Sequence, residues 1–276
     1  KYILESIYYS TLAWNTIKMN SDTTLIPLSK VMELEQSRRI ALCIGSLGPG
    51  GAENQLTLTA INLQNMGNTV AVFMPHYGAN DPGQINLSTR DSKSHFCNRL
   101  FDNNVQLRMG VSHQRTPVRA STGQELWGLV NYFQAKDIAG DKVNFLPVRI
   151  RELVAGYLAE FQVWKPDIVH CWLDGINIFA GLAAAIEQIP VVLSARNVSP
   201  MRLPYLHTQE RYAYYQILLK QPKVLLTANS KAGARDYEKW LDLPDGEITV
   251  IPNGIKEEKE VPSEGRNEFR RKLGFS

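Results

Sequence analysis

Short apolar segments alternate with longer segments of helical period between residues 39 and 251, and this alternation restricts the fold more than any other feature of the chain. The short segments are rich in β-branched residues and apolar on both faces, which is typical of strands buried in a parallel sheet. Strands and helices that alternate in this way predict an α/β fold with a doubly wound parallel sheet. The predicted strands are residues 40–44, 69–73, 105–108, 167–171, 190–193, 224–228 and 248–251.

Three helices are predicted between these strands. Apolar residues recur at helical spacing from Ala52 to Leu63 and from Ile150 to Phe161. The segment 178–186 is apolar on all sides, which predicts a helix buried beneath its neighbours. The polar segments 75–101 and 111–123 interrupt the alternation, and we expect them to be long loops.

The alternation also divides the chain into regions. Residues 1–38 have a helical pattern and are predicted to form an N-terminal extension, and residues 39–254 form the α/β domain. Residues 255–276 contain a charged run with Pro262 and Gly265, which indicates a linker and the first helix of a further domain.

Composition excludes several classes of protein. The 276 residues are 44% hydrophobic and 21% charged, which is typical of a globular chain. No segment approaches the roughly 20 apolar residues that span a bilayer, and no secretory signal is present, so we expect a cytoplasmic protein. A dispersed net charge of +3 argues against nucleic-acid binding but leaves peripheral contact with an anionic membrane surface open. Cys43 and Cys171 lie in predicted strands, where cysteine is usually a buried hydrophobe.

A glycine-rich loop follows the first predicted strand and runs directly into a helix. Backbone N–H groups at such a junction can bind a phosphate, and Gly50 and Gly51 are best placed to do so. No Lys-Ser or Lys-Thr pair follows, which excludes a Walker loop, and the third glycine of a dinucleotide fingerprint would fall on Glu53. A tight turn without a ligand remains an equal alternative. The Glu53 carboxylate either stabilises the helix by interacting with its dipole or contacts a sugar hydroxyl.

Polar side chains follow four other predicted strands, at the edge where open parallel sheets bind ligands. His170 is either a core residue or a substrate contact. Arg196 either binds a phosphate or carboxylate or forms an ion pair with Asp174 or Glu210. Ser230 is expected to cap the next helix. The four clusters are His170, Trp172 and Asp174; Arg196 and Asn197; Asn229 and Ser230; and Asn253 with Gly254.

In their order and spacing, these segments resemble family 4 glycosyltransferases of the GT-B architecture. The resemblance rests on Gly50-Gly51-Ala52-Glu53, Pro166-Asp167-Ile168-Val169-His170, Asn229-Ser230 and Val250-Ile251-Pro252-Asn253-Gly254. In that family two Rossmann-like domains face each other across a cleft. The N-terminal domain mainly holds the acceptor, the C-terminal domain holds the nucleotide-sugar, and the sugar is transferred with retention of configuration and without a metal.

The resemblance implies that this chain is the N-terminal half of such an enzyme and lacks most of the donor domain. It would transfer a sugar from a nucleotide-sugar donor to a sugar or lipid-linked acceptor, at the inner face of the membrane or in the cytoplasm, with no cofactor and no metal. Gly50 and Gly51 would contact the donor diphosphate, and His170 would act near the reacting sugar. Further substrate contacts are expected among Glu53, Trp172, Asp174, Arg196, Asn197, Asn229 and Asn253.

Two departures from the family pattern bear on this interpretation. Trp172 stands where many members carry a second histidine. Glu152 and Glu160 have the separation of the family's paired glutamates, but helical spacing places both on a polar helix face, so we interpret this pair as chance. A sugar- or nucleotide-binding module and a sugar epimerase of the same architecture remain alternatives.

Overall fold

A computed structural model describes residues 37–74, 95–109, 118–119, 125–126, 139–203, 209–254 and 263–275. The strands are β1 (Arg39–Cys43), β2 (Thr69–Met74), β3 (Gln106–Met109), β4 (Val118–Arg119), β5 (Glu125–Leu126), β6 (Ile168–Trp172), β7 (Val191–Ala195), β8 (Val224–Ala228) and β9 (Thr249–Val250). The helices are α1 (Gly51–Asn65), α2 (His95–Asp102), α3 (Val148–Trp164), α4 (Asp174–Ile186), α5 (Gln209–Leu219), α6 (Lys231–Leu241) and α7 (Ser263–Lys272). Short 3-10 helices span Gly140–Val143 and Pro200–Arg202.

Seven strands form one parallel sheet in the order β3-β2-β1-β6-β7-β8-β9. The predicted doubly wound sheet is confirmed, because each predicted strand overlaps one of these seven. The chain winds in one direction from β1 to β3 and in the opposite direction from β6 to β9. The two directions meet where β1 pairs with β6, with Leu42 opposite His170 and Cys43 opposite Cys171. In open α/β sheets, ligands bind beyond the carboxyl ends of the strands at this switch point.

The sheet is packed on both faces. One face, with Cys43, Cys171 and Leu193, packs against α3, α4, α5 and α6. The other face, with Leu42, packs against α1 and α2 through residues such as Leu56 and Leu100. This segregation of helices follows from right-handed crossovers on a sheet whose winding reverses at β1 and β6. The buried cysteines agree with the sequence prediction.

Helix α4 is buried on most of its surface, as its apolar composition predicts. Ile178, Ala180, Leu182 and Ala183 are all almost fully enclosed. At Gly181 an added Cβ would lie 3.0 Å from Leu193 Cδ2, so the helix approaches β7 closely, and a larger residue there would require the Leu193 side chain to shift. The helix starts at Asp174, directly beside the carboxyl end of β6 at Trp172.

Two predictions about polar segments are wrong where the structure describes them. The end of segment 75–101 is not loop but part of α2, because Cys97 and Leu100 bury an apolar helix face against the sheet. Within 111–123, β4 pairs in antiparallel fashion with β5. Residues 75–94 and the rest of 111–123 lie outside the described residues.

Glu160 also departs from its predicted position. Every residue from 154 to 161 of α3 is buried, so this part of the helix has no polar face, and Glu160 is only 1% exposed. Its carboxylate lies close enough to Arg108 to oppose the lowering of the Arg108 pKa by burial.

The terminal regions are described only in part. Residues 1–36 of the predicted extension and 255–262 of the predicted linker lie outside the described residues. The predicted helix after the linker is confirmed as α7. That α7 opens a further domain, and that residues 39–254 form one domain, stay predictions.

Candidate active site

The glycine loop lies at the switch point because it connects β1 to α1. An added Cβ at Gly45 would lie 3.9 Å from Ile176 Cγ1, so the loop passes beside the first turn of α4. Gly50 is extended, with φ −141° and ψ 162°, and its carbonyl accepts the first helical hydrogen bond from Asn54 N–H at 3.0 Å. The N–H groups at the start of α1 therefore open at the carboxyl edge of the sheet.

Gly50 and Gly51 differ in their surroundings. An added Cβ at Gly51 meets nothing within 4 Å, whereas one at Gly50 would lie 2.1 Å from Glu53 Oε2. The Glu53 carboxylate thus folds back over Gly50, where its negative charge interacts favourably with the positive end of the helix dipole. An anion has open access to Gly51 but displaces Glu53 if it is to reach Gly50.

A pair of hydrogen bonds that the sequence did not predict ties α1 to the chain after β9. Gln55 Nε2 donates to the Gly254 carbonyl at 2.7 Å, and Gly254 N–H donates to Gln55 Oε1 at 2.9 Å. The Gln55 side-chain amide therefore exchanges two hydrogen bonds with the Gly254 backbone, as two residues of neighbouring strands do. The partners are 199 residues apart, so no local pattern indicates the contact.

Residues 252–254, here called the β9 tail, cross the carboxyl edge of the sheet. β9 is four strand spacings from β1, about 19 Å. Asn253 Oδ1 nevertheless accepts a hydrogen bond from Arg196 Nη2 after β7 at 2.5 Å, and Gly254 reaches Gln55. The tail therefore brings Asn253 to the polar residues that follow β6 and β7.

His170, Trp172 and Arg196 form a stacked cluster at these strand ends. The Arg196 guanidinium lies over the Trp172 ring, with Cζ 4.3 Å from the ring centroid. The His170 and Trp172 ring centroids are 5.0 Å apart at 38°. The alternative prediction, an ion pair of Arg196 with Asp174 or Glu210, is wrong. Arg196 bonds to Asn253 and stacks on Trp172 instead.

Burial sets the charge of this cluster. It lowers the pKa of His170 to about 3, and the Arg196 cation adds to the effect, so His170 is neutral at neutral pH. Burial also lowers the pKa of Arg196, to about 10, which leaves the guanidinium protonated. A neutral imidazole offers one hydrogen-bond donor and one acceptor, so His170 is suited to orient a hydroxyl but not to supply a proton from an imidazolium.

Several polar atoms of the cluster are buried yet find no hydrogen-bond partner within the described part of the chain. They are Nδ1 and Nε2 of His170, Nε1 of Trp172 and Nε of Arg196. Buried polar atoms of folded proteins are nearly always satisfied, so such a concentration calls for an explanation.

Leu173, between this cluster and α4, has a strained backbone. Its φ of 73° and ψ of 154° lie in a region that favours glycine and costs other residues about 1 to 3 kcal/mol. Its N–H donates to the Ser194 carbonyl at 3.2 Å and its carbonyl accepts from Asn177 N–H at 2.8 Å. The turn is thus held in place between β6 and α4, and leucine at this position offers no sequence signal for it.

Asp174, expected as a substrate contact, bonds to tyrosines of two neighbouring helices. Its Oδ1 accepts hydrogen bonds from Tyr215 Oη at 2.8 Å and Tyr237 Oη at 2.6 Å, and the residue is buried. Burial, followed by the nearby Asp174 carboxylate, raises the pKa of both tyrosines. The network links α4 to α5 and α6, and contact of Asp174 with substrate stays a prediction.

The remaining predicted residues lie at the ends of β7 and β8. Ser230 Oγ accepts a hydrogen bond from Gly233 N–H at 3.0 Å, which confirms the predicted cap of α6. An added Cβ at Gly233 would lie 3.7 Å from the Asn197 carbonyl and 3.9 Å from Asn229 Oδ1. Both asparagines therefore lie beside the start of α6, and their contact with substrate stays a prediction.

The family follows from comparison with known proteins. A model of Glycosyltransferase Family 4 matches residues 49–259, a span that runs from the glycine loop past the β9 tail. The chain belongs to glycosyltransferase family 4. The matched span contains every predicted site residue, from Gly50 to Asn253.

Individual relatives of this family 4 chain are distant. The Vi polysaccharide biosynthesis protein VipC/TviE of Salmonella typhi is 26% identical in an alignment over 237 residues that covers 82% of this chain and 38% of that protein. Anabaena Alr3699/HepE, crystallised in complex with UDP-glucose, has a TM-score of 0.52 at 18% identity and is matched over 86% of this chain and 50% of its own. A glycosyltransferase from Rickettsia africae ESF-5 has a TM-score of 0.51 at 13% identity over 87% and 50% of the two chains.

These structural likenesses show the fold. The chain spans about half the length of the solved structures and 38% of the curated relative. Within the described residues, no helix combines the length and the apolar character needed to cross a bilayer.

Proposed function

We propose that this chain is the acceptor-side half of a glycosyltransferase that moves a sugar from a nucleotide-sugar to an acceptor hydroxyl, with retention and without a metal. The observation that carries the proposal is the convergence at the switch point. The open helix end at Gly51 and the cation of Arg196 follow strands that end at one edge of the sheet, and the neutral ring of His170 lies near the end of the strand between them. Family membership supports the reaction class.

In the proposed reaction, the bond between the anomeric carbon and the donor phosphate breaks, and a bond from that carbon to the acceptor oxygen forms on the same face. The leaving diphosphate gains negative charge as its bond to carbon breaks. The N–H groups at the start of α1 are already oriented and stabilise this charge without reorganisation. The proton of the acceptor hydroxyl passes to a phosphate oxygen of the leaving group.

His170 orients the reacting sugar in this scheme. Because its pKa of about 3 keeps the ring neutral, it donates one hydrogen bond and accepts another from sugar hydroxyls. The strained turn at Leu173 holds the end of β6 in position for this contact. Glu53 turns away from Gly50 when the diphosphate arrives, because two anions repel each other there.

We propose a UDP-sugar as the donor, since Anabaena HepE, which shares the fold, was crystallised with UDP-glucose. The relatives' greater length supports a second domain that carries the nucleoside pocket. The 276-residue chain alone should therefore bind UDP-glucose with a Kd around millimolar or weaker, equivalent to about 4 kcal/mol. Micromolar binding by the chain alone, measured by calorimetry, would mean that the donor half is assigned wrongly.

Transfer from labelled UDP-glucose by the full-length protein tests the proposal. Membrane lipids from the producing cells serve as the acceptor source, and EDTA tests the need for a metal. We expect a labelled glycoside of retained configuration in the presence of EDTA. Binding without turnover would identify a binding module, and an epimerised free nucleotide-sugar would identify an epimerase.

A further inference from the structure

The unpartnered atoms of the strand-end cluster are mainly hydrogen-bond donors. Trp172 Nε1 and Arg196 Nε only donate, and a neutral His170 adds one N–H together with one acceptor nitrogen. Trp172 and His170 are 2% and 6% exposed, so neither ring is simply turned toward bulk water. The cluster therefore matches a ligand group that is rich in acceptors.

The same cluster carries an uncompensated positive charge. Among the described residues Arg196 bonds to the neutral amide of Asn253, and burial is the cause of its lowered pKa. Two carboxylates predicted for the site are engaged elsewhere, since Asp174 accepts from two tyrosines and Glu53 lies against Gly50. A partly buried cation without an anionic partner is costly, and a bound anion offsets that cost.

We propose that Arg196, together with Trp172, binds an anionic group, a carboxylate or a phosphate, on a substrate of the enzyme. The planar guanidinium suits bidentate contact with either group, and stacking on Trp172 holds its plane in position. Arg196 follows β7, two strand spacings or about 10 Å from β1 and the glycine loop. That separation favours an acidic acceptor over the donor diphosphate. The assignment of the ligand as a substrate rests on the proposed function.

Nuclear magnetic resonance of the 15N-labelled protein tests this site directly. The indole N–H of Trp172 and the Nε–H of Arg196 are observed, with assignments from Trp172→Phe and Arg196→Lys. Methyl glucuronide and glycerol phosphate stand for an acidic acceptor, UDP stands for the donor, and methyl glucoside is the neutral control. Each is added to about 10 mM, ten times a millimolar Kd.

We expect both resonances to shift with at least one anion and not with methyl glucoside. Shifts with the glucuronide or glycerol phosphate assign the site to the acceptor, and shifts with UDP alone assign it to the donor. Arg196→Gln should weaken anion binding at least tenfold. Arg38→Gln, which removes the same charge at the amino end of β1, should leave it unchanged.

Absence of a shift with all three anions, or equal shifts with methyl glucoside, would overturn the proposal. Since binding is measured without turnover, this result leaves the proposed transfer reaction standing. Conversely, if the protein binds the anion but transfers no sugar, the proposed function is contradicted and the anion site still stands.

Discussion

The Arg196 guanidinium stacks on the Trp172 indole, with Cζ 4.3 Å from the ring centroid, and it does so across two neighbouring strands. Such a contact contributes about 0.5 to 2 kcal/mol, depending on how far the pair is desolvated. It also fixes where the cation lies, beside the neutral ring of His170. The site is thus built from the ends of β6 and β7, and the β9 tail adds Asn253 to it.

His170 should make folding stability depend on pH. In the folded protein the pKa of His170 is about 3, below the ordinary value of 6.5 that applies in the unfolded chain. Between these two pH values only the unfolded chain binds this proton. Stability is therefore lost through that window, by about 2 kcal/mol from this group between pH 7 and pH 5.

Urea unfolding at both pH values, in the wild type and in His170→Phe, checks this prediction. The variant should lose less stability on acidification, by about 2 kcal/mol. Equal losses in the two proteins would show that His170 is not buried as a neutral ring.

The hydrogen bonds of Asp174 should stabilise the layer of helices α4 to α6. Tyr237→Phe removes one of them and should cost about 1 kcal/mol, whereas Asp174→Ala removes the shared acceptor of two buried O–H donors and should cost about 1 to 3 kcal/mol or more. Because the residues are in contact, the double variant should cost less than the sum. Denaturant unfolding of all three variants measures this, and strict additivity would argue against the network.

Gln55 should couple the glycine-loop helix to the β9 tail. Gln55→Ala removes both bonds to Gly254, and Gln55→Glu keeps the acceptor but sets a carboxylate against the Gly254 carbonyl. In the full-length enzyme we expect kcat/KM for the donor to fall about three- to tenfold, near 1 kcal/mol, with little change in Tm.

Gln221→Ala is the matched control for Gln55, because among the described residues its side chain bonds only locally, to the Ile217 carbonyl of α5. It should leave the kinetics unchanged. Wild-type kcat/KM in both Gln55 variants would show that the pairing with Gly254 is only a surface contact.

The parts of the fold that local patterns encode were predictable from the sequence. Apolar runs located the seven strands, all-round apolarity predicted the burial of α4, and a serine before Lys231 predicted the cap of α6. The prediction that Glu160 lies on a polar helix face is wrong because helical periodicity describes one helix in isolation. The burial of residues 154–161 depends on tertiary packing, which periodicity does not encode.

The site itself was predictable in its composition but not in its contacts. The strand-end rule brought His170, Trp172 and Arg196 to one edge of the sheet. The bond of Arg196 to Asn253 spans 57 residues, and that of Gln55 to Gly254 spans 199, so no short-range pattern encodes either contact. The positive φ of Leu173 was also unpredictable, because leucine rarely occupies that region.

Gly51→Val tests most directly whether the backbone at the start of α1 faces the donor diphosphate, as we propose. The backbone there suits an ordinary residue and an added Cβ meets nothing within 4 Å, so the fold should accept valine with an unchanged Tm. In the full-length enzyme its methyl groups would occupy the space that the phosphate needs. We predict that kcat/KM for UDP-glucose falls at least tenfold, about 1.4 kcal/mol or more. Wild-type kcat/KM at an unchanged Tm would contradict the claim.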